Sequence, residues 1–480
     1  MSKNLNIVWL KRDLRTIDHL PLFKAEELKQ DYIIIYLFEP DQMNHPDFSL
    51  RHHQFIYQSI IAINKTLKTY NREVHVFYEN AENVFKYLTS KYSVKNVFSY
   101  QESGTNNSWL RDKKVNKFLA KKNIKWTEFE NQAVIRGSKN RLGWDKNWFS
   151  HATSLIIQNI YSFNNFQLQK SPFDFSIDTF PKLKEYPREF QPAGEKFALK
   201  YLISFLEDRG KNYNRHISQP EKSRYSCGRI STYLAWGNIT VKQVYQRVKK
   251  SPYYKTNKRA FDAFLSRIKW RSHFIQKFEV ECSYENICIN KGYEQMKYAN
   301  NNILLEKWKK GQTGFPMVDA SMRCLIKNGW LNFRMRAMLV SFLCHYLEQD
   351  WRRGVYHLAK LFLDYEPGIH FTQFQMQAGV TGINSIRVYN PIKQSIEKDP
   401  DAVFLKKWIP ELACIDNAFI HQPWKLTEID LIDKSIPEFY KHPIISHKLG
   451  RTEAVKELWS LRKNEAVKKE SKRLLNTHVR

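Results

Sequence analysis

The stretch from Trp308 to Pro391 constrains this chain most. It opens W-K-K-G-Q-T-G-F-P-M-V-D-A-S-M-R, passes through G-W-L-N-F-R-M-R and D-W-R-R-G, and closes on D-Y-E-P-G-I-H-F-T-Q-F-Q ahead of V-Y-N-P. Its apolar residues recur at helical spacing. Yet Arg334, Arg336, Asp364 and Glu366 are threaded among Phe, Trp and Leu, and charged side chains are almost never fully buried unless paired. A helical layer built this way implies a polar ligand held in an aromatic cavity.

The beginning of the chain follows a different rule. Ile7 to Leu10, Tyr32 to Phe38, Val74 to Tyr78 and Val94 to Ser99 are short apolar runs, and helical stretches including Leu50 to Leu67 and Asn107 to Lys121 lie between them. Strands alternating with helices predict a parallel sheet covered on both faces. Lys11-Arg12-Asp13-Leu14-Arg15 follows the first strand, where an open α/β sheet places its ligand crevice. Neither G-x-G-x-x-G nor G-x-x-x-x-G-K-[ST] occurs, so neither nucleotide motif applies. From Asn131 to Gly194 periodicity weakens and Pro172, Pro181, Pro187 and Pro192 interrupt it, which reads as a long interdomain connection. From Glu195 onward the spacing is helical. The last segment, Lys448 to Arg480, reads as one basic amphipathic helix with Val455, Leu458, Leu461 and Val467 on its apolar face.

Composition narrows the function classes. The formal net charge of +29 on 480 residues exceeds what solubility needs and favours a polyanion, nucleic acid first. The plainer reading is a solvated basic surface. Six cysteines without a C-x-x-C pair predict no disulfide framework and no metal site. With no signal peptide and no apolar run of membrane-spanning length, the expectation is a soluble, cytoplasmic protein with no membrane partner.

The series G-x-T-G-x-P-x-V-D-A-x-M-R, G-W, R-x-R, D-W-R-x-G and Y-N-P, together with V-W-x-K-R-D-L-R-x-x-D-H near the start, resembles the photolyase and cryptochrome family. The resemblance implies an α/β N-terminal domain with a five-stranded parallel, Rossmann-like sheet, and an all-α C-terminal FAD-binding domain. It divides the chain into an antenna domain at 1–130, a linker at 131–194 and a helical domain at 195–480. It implies FAD, with a second antenna chromophore of folate or deazaflavin type near Arg12, Glu102 and Gly104 as an open question. FAD contacts are implied at Tyr213, Arg229, Ile230, Ser231, Trp330, Asn332, Arg336, Asp364, Glu366 and His370.

Within that set, Arg336 and Asp364 are expected as a bidentate pair from different helices, beside the isoalloxazine, favouring reduced flavin. The plainer reading is a structural ion pair. His370 falls where a residue faces flavin N5, usually Asn in photolyases and Asp in plant cryptochromes, and can donate or accept according to its tautomer. The alternative is a histidine capping the turn after Pro367-Gly368. Ser231, in C-G-R-I-S-T-Y-L, resembles the loop that binds the flavin pyrophosphate, and an ordinary N-cap serine is the alternative. Cys227 and Gly228 depart from the hydroxyl residues common there.

Further departures bear on the reaction. Arg267 replaces the usual Glu one turn before Trp270, and Phe333 and Ala337 stand where an Asn and a Met touch damaged bases. Phe374 replaces the inner tryptophan of the electron-transfer chain. Trp351 matches the middle member, and Tyr298 lies near the outer one. Tyr346, Tyr365 and Trp330 are candidate substitutes. Trp270, Arg267 and His370 are the expected catalytic residues, and Trp270, Arg271, Arg387 and Lys393 the expected DNA contacts. The expectation is a monomeric blue-light flavoenzyme that repairs ultraviolet pyrimidine photoproducts in single- or double-stranded DNA. The alternative is a cryptochrome-type receptor without repair activity, and a third reading is a nucleic-acid-binding protein in which flavin is inert.

Overall fold

The computed structural model describes residues 4–432, 434–448 and 452–478. Five strands, β1 (Asn4–Leu10), β2 (Tyr32–Leu37), β3 (Val74–Phe77), β4 (Ser93–Tyr100) and β5 (Lys125–Phe129), form one sheet in the order β3-β2-β1-β4-β5. All pairings are parallel, with Val8 opposite Ile34 on one side and Phe98 on the other. The central strands are continuous apolar runs because both of their faces are covered. On one face Leu5, Ile7 and Trp9 pack with Phe85, Leu88, Val115 and Leu119. On the other, Val8, Leu10 and Ile34 share a core with Phe55 and Ile60 of the Leu50–Leu67 helix, and with Tyr233, Trp236 and Leu363 of the helical part.

The rest of the chain is helical. The Lys11–Arg15 segment ties it to the sheet. Leu14 N–H donates to Trp236 O at 3.1 Å, Arg15 donates to Gly237 O at 3.2 Å, and Asn238 donates to Leu14 O at 2.7 Å. Gly237, at φ +75°, lets the backbones meet there, since a Cβ would lie 2.3 Å from Arg12 O.

Two local expectations need correction. The segment 131–194 contains a helix, Trp144–Thr153, whose Trp144 and Trp148 are buried. The same segment runs along β3, with Tyr78 N–H donating to Phe173 O and Phe175 N–H to Val76 O. The C-terminal segment is two helices, Glu453–Leu461 and Glu465–His478, separated at Arg462–Asn464; residues 449–451 and 479–480 of that expectation lie outside the described residues. No helix among the described residues is long and apolar enough to cross a membrane, and the six cysteines are free thiols.

Candidate functional site

The site begins where two helices cross. Gly368, near the start of the Pro367–Ala378 helix, packs so closely on the Lys258–Val280 helix that a Cβ would lie 2.7 Å from Ile275 Cα. The crossing brings Arg271 to Glu366. The Arg271 guanidinium donates to Glu366 Oε2 at 2.8 Å, to Leu234 O at 3.0 Å and to Gln132 Oε1 at 3.1 Å. Both side chains are buried. Burial raises the Glu366 carboxyl above its ordinary range, against the pull of Arg271 and Arg12. Arg271, expected as a phosphate contact, makes these three bonds inside the protein.

Arg336 sits on the Phe333–Ser341 helix, which Asn332 caps by accepting from Met335 N–H at 3.2 Å. Its Nη2 donates to Asp364 Oδ2 at 2.8 Å, and its Nε donates to Leu331 O at 2.7 Å. Asp364 lies in the loop between Leu361 and Pro367, not on a helix, and the pair uses one carboxylate oxygen rather than two. Asp364 Oδ1 is buried and has no partner among the described residues. An unpaired carboxylate oxygen in a protein interior costs desolvation energy unless something donates to it.

Arg229 presents the opposite sign of the same situation. Its backbone is left-handed, at φ 55°. Its guanidinium lies 4.1 Å over the Trp330 ring, its Nη2 donates to Gln191 Oε1 at 3.2 Å, and its Nη1 donates to Arg224 O at 3.4 Å. Its Nε is buried without a partner. Burial and the neighbouring Arg224 push it down to about 10, while Asp364 is close enough to raise it. Gln191, in the segment expected as a connection, also donates to Arg229 O at 2.7 Å; neither it nor Arg224 carries a sequence signal. Ser231 is the first residue of the short Ser231–Ala235 helix, so the N-cap is Ile230, and no side-chain capping bond forms. Tyr213 is buried edge-on against Phe205 and Phe264.

His370 lies within the Pro367–Ala378 helix rather than capping a turn. Its ring meets Phe362, Tyr365, Phe371 and Phe374 edge-on. Burial, with help from Arg336, pushes it down to about 4, although its bond to the Val355 carbonyl pulls upward. It is therefore neutral near pH 7. Since Nε2 lies 2.8 Å from Val355 O, an acceptor, Nε2 carries the hydrogen and Nδ1 is left as an acceptor. Phe374 and Trp351 are fully buried. Arg352 sits 4.8 Å over the Trp351 ring, and Tyr298 packs partly buried against the same core.

Trp270 is 54% exposed and Phe333 is 50% exposed, unusual for large apolar side chains. Arg267 lies 5.6 Å over the Trp270 ring and 5.7 Å over that of Tyr213, while Ala337 is buried. Arg387 and Lys393 are exposed, with Lys393 loosely paired to Glu397 at 3.6 Å.

Two concavities lie elsewhere in the molecule. At the carboxyl ends of β1, β2 and β4, a crevice of about 50 Å³ is lined by Arg12, Tyr36, Glu39, His53, Glu102 and Arg111. Arg111 meets Glu39 at 2.9 Å and Glu102 at 2.6 Å, and Arg12 meets Glu102 at 3.5 Å. Gly104 is closed off by Ser108. A wider cleft of about 800 Å³ lies between Ile17, the Glu195–Glu207 helix and the Val241–Lys250 helix. Its buried carboxylate, Glu195, is satisfied by Thr16 and Ile17, so it offers no orphaned group. Among the described residues no cluster of three or more His, Cys, Asp or Glu is arranged to hold a metal ion.

Residues 6–139 match the family described as DNA photolyase, and residues 264–460 match the FAD binding domain of DNA photolyase. A deoxyribodipyrimidine photo-lyase of Alkalihalophilus pseudofirmus is 25% identical over 95% of this chain and 98% of its own. A cryptochrome DASH of Synechocystis is 25% identical over 88% of this chain and 90% of its own. A class III photolyase structure from Agrobacterium tumefaciens shares the fold at a TM-score of 0.83, with 21% identity over 98% of both chains. The chain belongs to the photolyase/cryptochrome family, and its helical part is an FAD-binding domain. The residues present fit such a group. A buried acceptor at Asp364 and a carboxylate-free guanidinium at Arg229, within electrostatic reach of one another, suit a ligand that carries both a donor and an anion.

Proposed function

We propose that this protein is a blue-light-dependent enzyme that repairs pyrimidine photoproducts in DNA by electron transfer from reduced FAD. Arg336 and Asp364 would hold the ring system, Arg229 and the Cys227–Ser231 segment the pyrophosphate, and Trp330 and Asn332 the neighbouring parts of the same ligand. Bound and photoexcited, reduced FAD supplies one electron to a lesion and takes it back. Arg336 would stabilise negative charge on the ring. His370, neutral with Nδ1 free to accept, would receive a hydrogen bond from a bound ring and offer no proton.

Trp270 is the observation that carries the repair reading. A half-exposed tryptophan adjoins Arg271, whose guanidinium grips Glu366 beside the proposed ring site. An exposed indole there offers a stacking surface to a base turned out of the helix, as a damaged base is most readily. Arg387 and Lys393, both exposed, would meet phosphates, and the charge of +29 supports a nucleic-acid partner. A second chromophore in the crevice around Arg12 and Glu102 would have to displace the ion pairs that fill it.

The receptor reading draws on Arg267, Phe333 and Ala337, which replace groups that touch lesions in repair enzymes. One assay separates the two. Under blue light, fully reduced protein is expected to remove cyclobutane dimers from a defined oligonucleotide. No removal from either single- or double-stranded DNA would favour the receptor.

A further inference from the structure

Tyr365 lies between Asp364 and Glu366 and is 1% exposed. Its ring is 5.3 Å from that of His370, edge-on, and 5.9 Å from that of His52. Its hydroxyl donates to Asp47 Oδ2 at 2.7 Å, across 318 residues of sequence. Asp47 is itself buried, and its other oxygen, Oδ1, lies 2.6 Å from His45 Nδ1. His45 Nε2 lies 3.4 Å from Glu285 Oε1, to which Tyr356 also donates at 3.1 Å. The His45 side chain is 18% exposed. The result is a continuous line, Tyr365–Asp47–His45, from the ring beside His370 to a partly exposed imidazole, with buried Glu285 on the far side of that imidazole.

A buried phenol bonded to a carboxylate that is bonded to an imidazole suits proton-coupled oxidation. Losing an electron makes a phenol strongly acidic, and Asp47 stands ready for the proton. The other aromatic candidates lack this. Trp330 lies under Arg229 at 4.1 Å and near Arg224 at 5.8 Å, so an indole cation there would repel two guanidiniums. Trp351 meets Arg352 at 4.8 Å, and its Nε1 has no acceptor among the described residues. Arg12 lies 5.8 Å over the Tyr365 ring as well. That cation does not oppose the step, because the ring of Tyr365 ends neutral once its proton leaves.

We infer that Tyr365 is the one-electron donor to photoexcited oxidised flavin in this protein, with Asp47 as the proton acceptor and His45 as its outlet. The inference rests on the FAD reading above. One electron passes from Tyr365 to the flavin, the phenolic O–H bond breaks, and the proton moves onto Asp47 Oδ2. Tyr365 is left as a neutral phenoxyl radical. A small thiol in solution restores it by giving back one electron and one proton. Two features of the line agree. Burial and the Asp47 carboxylate hold the Tyr365 hydroxyl well above its ordinary value, so it stays protonated until oxidised. Burial alone would lower His45, but Asp47 and Glu285 outweigh it and raise the imidazole.

Electron paramagnetic resonance of the FAD-reconstituted protein after illumination tests this. The expected result is a tyrosyl signal that disappears in Tyr365→Phe at unchanged flavin content. Asp47→Asn keeps the shape but not the base, and should slow flavin photoreduction by at least about tenfold, whereas Tyr346→Phe should not. In flavin-free protein, Asp47→Asn should lower the titration midpoint of His45 followed by NMR. Protein that takes up no FAD overturns the FAD reading and this inference together. Protein that takes up FAD but keeps its radical in Tyr365→Phe, its photoreduction rate in Asp47→Asn, or its His45 midpoint in Asp47→Asn overturns this inference alone.

Discussion

Arg111, at the carboxyl edge of the sheet, meets the carboxylates of Glu39, Glu102 and Asp112 within 2.9 Å. Arg229, in the helical layer, meets none among the described residues and leaves its Nε unbonded. Both are largely enclosed. The difference separates two uses of a buried charge. Where opposite charges close on each other, removing one partner strands the rest, and the group serves the fold. Where one guanidinium nitrogen and, close by, an acid oxygen are left without partners, the protein carries a desolvation cost that a bound ligand would relieve.

Breaking the closed network should produce the largest effect. Arg111→Met leaves buried Glu39 without a cation among the described residues, takes one of two cations from Glu102 and Asp112, and is expected to cost about 3–5 kcal/mol in denaturant unfolding. A loss under 1 kcal/mol would show that the network is more hydrated than its geometry implies. The open site should behave in the reverse way. Arg229→Met should leave the flavin-free protein as stable as before, or more so, while weakening FAD binding by at least about tenfold, or 1.4 kcal/mol. Equal destabilisation by the two substitutions would erase the distinction.

A pH series sharpens the comparison. His370, His345 and His53 are each pushed down to about 4, chiefly by burial. The unfolded chain binds those protons at an ordinary value of about 6.5. Between these values the unfolded state holds more protons, so stability is complete above pH ~6.5 and falls as the pH drops toward 4. A melting temperature flat from pH 7 to 4 would contradict these burials. The smallest effect on folding is expected at Trp270, where Trp270→Ala should change stability within about 0.5 kcal/mol. The same change should weaken binding of dimer-containing oligonucleotides by about 1–3 kcal/mol, and unchanged binding would remove Trp270 from the DNA surface.

How much of this was legible in the sequence depends on whether the cause was local. The Leu50–Leu67 helix has the bounds its periodicity indicates, and the Asn106–Lys121 helix begins one residue earlier than expected. β5 could not be located by an apolar run, because K-W-T-E-F is an edge strand with no fully buried position. The Trp144–Thr153 helix was hidden in a segment full of aromatic and Asn residues, and its identity comes from packing on the Val241–Lys250 helix. Arg271 looked like a surface cation because Glu366, its partner, lies 95 residues away. The Arg336–Asp364 pair was legible through its motif, yet its geometry was not, because the loop at Asp364 presents one oxygen to Arg336 and leaves the other free. No local pattern could have joined Tyr365 to Asp47.

Titration of FAD into the flavin-free protein, followed by tryptophan fluorescence, tests the central claim most directly. Wild type and Arg111→Met, where it remains folded, should bind one FAD with similar affinity, and the double variant Arg229→Met/Asp364→Ala should lose binding. A double variant that still binds FAD as tightly as wild type would contradict the account.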